Sequence, residues 1–419
     1  MSEERYKPTI NLNQAPRLQT PLLYIGAAYV FLSIAAALFI ADAQWIADGD
    51  YGNPLVIMIV HFFTLGFLSM TAMGILHQWI PVVFDVPAAS ARRGVLQFGI
   101  YVIGIIGFAW GLGQQQWTWL ALSGTLLSLV ILLWSIGVYR QLSRSSKPHD
   151  AIYRGIQGAV LAFNVVWILG LFMALSFLGW WPAYRVLPVH IATALVGWMG
   201  ILILTVQQKL NPMFSMSKAE GINQAMPLYW AAGGVLCAWA SLWTSPVLLR
   251  MAAIGWVVAL VMMLVGVIRI LRQGKAPAFD RVFIGVGSAW LLLFGAAVMG
   301  VWLSPFAVIL AFWGMLTLIF SYQARIVPFI IAVAVSRRLP GPVYKAFFMA
   351  QAMHSKRLPI LAGIFGLVGA GASIVGGLTR EPGWERAGGV IILVLVATQL
   401  GGLGLAMAQG RVNRPMTPP

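Results

Sequence analysis

The chain has a single cysteine, Cys237, in 419 residues. This excludes an internal disulfide and any paired-thiolate metal site, and the CxxCH attachment of a c-type haem is missing as well. Charge is nearly as scarce. Asp, Glu, Lys and Arg make up 9% of the sequence and apolar residues 60%, against about 25% and about 45–50% in ordinary soluble domains. Acids are scarcer still. All eleven carboxylates (Glu3, Glu4, Asp42, Asp48, Asp50, Asp85, Asp150, Glu220, Asp280, Glu381, Glu385) fall in tails, loops or helix ends. A proton-coupled carrier ordinarily needs a carboxylate in mid-membrane to take up and release the proton, so this distribution argues against ion-driven transport of the usual kind.

What the chain has in plenty is apolar sequence in runs near twenty residues, the length that a bilayer core of about 30 Å demands of a helix. The expected fold class is an all-α polytopic membrane protein. Twelve helices are predicted, at 20–42, 54–83, 94–112, 115–139, 155–180, 187–210, 226–244, 247–271, 282–303, 305–335, 358–378 and 387–409. Assigning alternate loops to the two sides puts 23 of the 27 Lys and Arg residues on the side that holds both termini, and leaves only Arg185, Arg250, Arg380 and Arg386 on the other. The positive-inside bias makes the richer side cytoplasmic. A net charge of +16 would suggest nucleic acid in a soluble protein. Here it describes topology, with some attraction to anionic lipid, and the expected partner is the bilayer, not nucleic acid. The first nineteen residues are polar and show no cleavable signal, so helix one is expected to act as an uncleaved anchor. The basic, apolar-interleaved stretch 337–357 reads as a cytoplasmic interfacial segment, and the Gly- and Ala-rich helices eleven and twelve as sites of close helix contact.

Internal similarity fixes the expected architecture. Residues 54–84, 187–214 and 304–330 repeat one pattern: a long apolar run, a polar pair (His77-Gln78, Gln207-Gln208, Tyr322-Gln323), then Pro81, Pro212 or Pro328. Gly66 and Gly197 stand fifteen residues before their prolines, and Gly314 fourteen before its own. The chain therefore reads as one transmembrane domain of three related four-helix arcs, about 1–147, 148–278 and 279–419, each keyed on its second helix.

Two histidines, His61 and His190, lie plainly inside the predicted bilayer, both in its outer third. His61 sits about seven residues, roughly 10 Å, below the outer surface. Neutral imidazole is the commonest metal ligand, and a pair on facing helices is how bundles hold a haem; the alternative is one interhelical hydrogen bond for each. They lie 20 and 22 residues before their prolines, a rotation of about 200° on a helix, so they need not point at one centre. His77, Gln78, Gln207, Gln208, Tyr322 and Gln323 form a polar ring at one depth, read either as a polar cavity or proton route or as helix-end capping. Lys209 and Arg325 read as snorkelling to lipid, or as contacts to a haem propionate.

Twelve helices with both termini inside, three four-helix units and a histidine in the outer third of helix two together resemble subunit I of the haem–copper oxidases. Segments such as HFFTLGFLSMTAMGILHQWIPVV and GWMGILILTVQQKLNPMF are similar to the divergent oxidase-like membrane proteins of bacteria. The resemblance implies helices two, six and ten facing internal pores, low-spin haem ligation at His61 and a metal ligand, copper in the oxidases, at His190. It implies haem b or a metal ion as cofactor, a redox, gas-sensing or nitric-oxide-related role, and a multi-pass place in the bacterial cytoplasmic membrane. Helices seven and ten contain no histidine, and Ala194 stands where the oxidases have a cross-linked tyrosine. The oxygen-reducing centre is therefore incomplete, and full oxidase activity is not expected. The competing reading is a cofactor-free carrier, channel or assembly factor on the same scaffold. Substrate, redox partner and oligomeric state are not written in these residues.

Overall fold

The computed structural model describes residues 12–179, 185–217, 224–245, 247–276, 279–336, 350, 353 and 355–411. The predicted interfacial segment 337–357, with His354, lies almost wholly outside them. The described residues form helices and no strand, and the chain is a polytopic all-α membrane protein. The long helices are α1 (Gln19–Ala41), α2 (Pro54–Phe84), α3 (Ala91–Gly113), α4 (Trp117–Leu142), α5 (Ala151–Ser176), α6 (Val186–Ser215), α7 (Met226–Ala240), α8 (Val247–Arg272), α9 (Val282–Val301), α10 (Phe306–Ser336), α11 (Leu358–Thr379) and α12 (Pro382–Arg411). Eleven of them are long and apolar enough to cross a membrane. The exception is α7, whose 15 residues span only about 22 Å.

Chain neighbours pair as hairpins, α3 on α4, α7 on α8 and α9 on α10, while α12 packs back on α1 and closes the bundle. Within this ring α2, α6 and α10 come together. Trp79, Val82 and Val83 of α2, Leu210, Met213 and Phe214 of α6, and Ile326, Phe329 and Ile330 of α10 line one cavity of about 50 Å³. These sit at matching offsets from Pro81, Pro212 and Pro328, so the three proline-bearing segments share one axis. Towards the other end of the axis the contacts are aromatic and dry. Phe67 and Phe320 stack with centroids 5.7 Å apart, and Trp198 lies flat on Phe163 at 4.3 Å while its indole N–H donates to Ser69 Oγ at 3.1 Å.

The glycines ahead of the prolines explain how the central helices sit so close to their neighbours. A methyl group at Gly66 would lie 2.6 Å from Phe31 Cβ on α1, one at Gly197 3.0 Å from Ala162 Cβ on α5, and one at Gly314 2.8 Å from Leu293 Cγ on α9. Phe31, Ala162 and Leu293 are equally spaced along the chain. The fifteen-versus-fourteen discrepancy in the glycine positions also has a structural cause. Residues Phe62–Ser69 and Thr193–Gly200 are π-helical, whereas α10 runs as uninterrupted α-helix. A π turn absorbs one extra residue within a helix, so the helices with the longer spacing are those that carry the bulge. In lipid, small residues at such crossings let backbones approach and gain van der Waals contact. The Gly-rich face of α11 does the same against α10, where a methyl group at Gly369 would fall 2.2 Å from the Trp313 ring.

The prolines themselves do not end their helices. α2 continues to Phe84 and α6 to Ser215, each closing on a left-handed residue, Asp85 (φ 56°) and Met216 (φ 51°). In both, the next residue's N–H also returns to the proline carbonyl, Val86 to Pro81 at 3.1 Å and Ser217 to Pro212 at 2.9 Å. α10 runs eight residues beyond Pro328. Proline lacks the N–H that would bond the carbonyl four residues back, so each of these helices runs on with one backbone hydrogen bond missing.

Gly66→Ala is expected to destabilise the protein by about 1–3 kcal/mol through overpacking against Phe31. Gly26→Ala, at a glycine of α1 with nothing within 4 Å of an added methyl group, should stay within about 0.5 kcal/mol of the parent. Unfolding of the two variants in detergent checks the contrast.

Candidate functional site

His61 closes the first α-helical stretch of α2 and stands directly before its π segment; His190 stands three residues before the first residue of the π segment of α6. The structure brings their rings together, with centroids 6.5 Å apart and planes tilted by 30°. The two side chains, which an offset of about 200° left free to point apart, are neighbours in the structure.

The surroundings hold both rings in place. His61 Nδ1 is 2.7 Å from the carbonyl oxygen of Ile57 one turn earlier; a carbonyl can only accept, so Nδ1 carries the proton and Nε2 keeps its lone pair. This is the orientation that metal-binding imidazoles adopt when a backbone carbonyl holds the other nitrogen. Phe108 of α3 packs on the His61 ring at 5.0 Å between centroids. His190 fits against α5 because residue 170 is glycine, where a methyl group would lie 3.3 Å from His190 Cε1. His190 Nδ1 is buried and has no hydrogen-bond partner among the described residues.

A metal ion held by both would take a metal–nitrogen distance of about 2.0–2.1 Å from each, which a centroid separation of 6.5 Å allows. Among the described residues no third His, Cys, Asp or Glu completes a metal-binding group. A tetrahedral site of the zinc type wants three or four protein donors, whereas an iron already held by a macrocycle needs two axial ones. Two donors alone do not complete a site of the zinc type.

The six predicted ring residues do not form one ring. Gln78, with Lys209, lines the axial cavity. His77 faces away from it, towards Tyr24 at 5.2 Å. Gln208 donates to the Gln224 carbonyl at 2.8 Å. Tyr322 donates to Asn211 Oδ1 at 2.7 Å, and Tyr29 of α1 donates to Gln323 Oε1. Gln207 is buried with neither end of its amide partnered among the described residues, and Asn211 Nδ2 and Gln323 Nε2 are likewise unmet. Arg325 pairs with Asp280 at 2.6 Å and lies over the Phe214 ring at 5.3 Å. Lys209 is nineteen residues beyond His190 on α6, roughly 28 Å along the axis. A contact from Lys209 or Arg325 to a propionate of a haem held between the two imidazoles does not go with that separation.

Sequence reasoning overlooked Asn211 and Tyr29, which tie α6 and α1 to α10. It also took Glu385 as an ordinary helix-end acid. Glu385 does sit in the first turn of α12, yet it is 0% exposed, enclosed beside the Ser373 hydroxyl. The room for it is made by Gly376, where a methyl group would lie 2.9 Å from Glu385 Oε1. The glycine pairs 376–377 and 388–389 around it were the available signal.

No protein-family model matches the chain, and no curated protein matches it.

Tyr322→Phe leaves Asn211 Oδ1 buried without its donor, and should cost about 1–3 kcal/mol of stability. Adding Asn211→Leu removes the stranded amide and should recover part of that loss. Unfolding midpoints of the single and double variants measure both.

Proposed function

We propose that this protein is a haem–copper-oxidase-like membrane protein that holds one b-type haem between His61 and His190 and lacks the oxygen-reducing centre. In this reading twelve helices form three related arcs with both termini in the cytoplasm, in the cytoplasmic membrane of a bacterium. The observation that carries the cofactor is the pair of neighbouring rings with centroids 6.5 Å apart, with His61 Nδ1 tied to Ile57 so that Nε2 keeps its lone pair. Support for the three-arc plan comes from the common axis of α2, α6 and α10, the equal spacing of Phe31, Ala162 and Leu293, and the matched left-handed ends of α2 and α6.

Bound between two imidazoles, haem supplies one-electron chemistry at a potential set by its axial ligands and by the burial around them. The protein's own part is to fix the ligands. Ile57 selects the tautomer of His61, Gly170 gives His190 its place, and Phe108 keeps one side of the pair apolar. Such a site would serve electron transfer or the sensing of a gas such as nitric oxide. Copper is the alternative metal for the same two nitrogens.

A second reading, a cofactor-free carrier, channel or assembly factor, is favoured by the buried, unpartnered amide of Gln207 and the enclosed carboxyl group of Glu385. Polar groups of this kind inside a membrane are a default mark of a solute or ion path. The absorption spectrum of protein purified after expression with a haem supply separates the two. The first reading predicts a Soret band that is lost in both His61→Ala and His190→Ala. A folded, colourless wild-type protein contradicts it and supports the second.

A further inference from the structure

On the side richest in Lys and Arg, the start of α3 opens onto a cavity of about 390 Å³, within the range of small-molecule sites. Its wall is built from residues 15–17 and Thr20 around the start of α1, residues 88–92 around the start of α3, and His77 from α2. Three independent features give it one chemical character. First, α3 is 23 residues long, and the side chain of Ser90, at its N-cap, makes no capping hydrogen bond. The first-turn N–H groups therefore have no side-chain acceptor from the cap, and the positive end of the helix dipole faces the same space. Second, Arg17 and Arg92 both line the cavity, are exposed, and have no ion-pair or hydrogen-bond partner among the described residues. Third, His77 lines the cavity, and its buried Nε2 has no partner among the described residues. Asp85, the acid close by, accepts from the Gln14 amide at 3.3 Å and is not part of the wall.

We propose that this cavity binds a phosphate-bearing anion, with the two guanidiniums and the first turn of α3 around the phosphate oxygens and His77 donating to one of them. Paired guanidiniums and a helix N-terminus are the standard partners of phosphate oxygens, and residues 88, 89 and 91 are all alanine, so nothing bulky stands before the N–H groups. The phosphate belongs either to an anionic lipid headgroup or to a soluble phosphate. The proposal is independent of whether His61 and His190 hold a haem.

The test uses the full chain in neutral detergent, probed with inorganic phosphate by thermal unfolding at low ionic strength. In parallel, the chain is reconstituted in phosphatidylcholine with and without phosphatidylglycerol, and retained lipid is counted by native mass spectrometry. Stabilisation by inorganic phosphate in detergent supports a soluble ligand; selective retention of phosphatidylglycerol alone supports a headgroup. In either case Arg17→Gln with Arg92→Gln should weaken binding about tenfold or more. His77→Gln should weaken it as well. Arg93→Gln, a neighbouring exposed arginine outside the wall, should bind like the parent and serves as the control for net charge. No response to either probe overturns the proposal, as does a response that survives in both the double arginine variant and His77→Gln.

Discussion

The structure depends on the meeting of three helices, α2, α6 and α10, around one axis. Lipid gives little hydrophobic drive for helices to associate, so contact must come from close packing and from hydrogen bonds that water does not compete for. Both are present at this axis. Gly66, Gly197 and Gly314 let α1, α5 and α9 press against the central three to distances that no side chain would permit. Trp198 to Ser69, Tyr322 to Asn211 and Tyr29 to Gln323 then tie α6 to α2, α10 to α6 and α1 to α10. The candidate haem ligands inherit their geometry from this arrangement, because His61 and His190 meet only if α2 and α6 stand side by side along their outer halves.

Polar groups are distributed unevenly along the axis. At one end the two imidazoles lie side by side, next to Phe108 and Gly170. The middle is aromatic, with Phe63 against Phe312 and Phe67 against Phe320. The other end holds amides, tyrosine hydroxyls and the Arg325–Asp280 pair. The unmet amides of Gln207, Asn211 and Gln323 show that the inner polar region carries more hydrogen-bonding capacity than the described side chains use.

Much of this was legible in the sequence, for physical reasons. Apolar runs of bilayer length announced the helices, and the recurrence of a glycine, a polar pair and a proline marked the three that share the axis. Legibility failed where the deciding quantity was rotational or three-dimensional. A one-residue shift at Gly314 looked like imperfect similarity until the π segments at Phe62–Ser69 and Thr193–Gly200 accounted for it. The offset between His61 and His190 left their rings free to point apart, and their proximity is seen only in three dimensions. His77 and Gln78, adjacent in the chain, face different cavities because neighbouring residues on a helix point about 100° apart. Glu385 looked exposed because its position is terminal, and its enclosure depends on glycines of another helix that linear reading does not bring near it.

Cross-linking across the axis tests the central claim most directly. Cys237 is the only native cysteine, so a Cys237→Ser background can carry pairs of new cysteines at Val82 and Met213, at Met213 and Phe329, and at Val82 and Phe329. All three positions line the same cavity, and the account predicts that a short thiol-specific cross-linker joins every pair within one chain. If none of the three pairs is joined, while a control pair on the hairpin neighbours α3 and α4 is, the three helices do not share an axis and the geometry of the histidine pair goes with it.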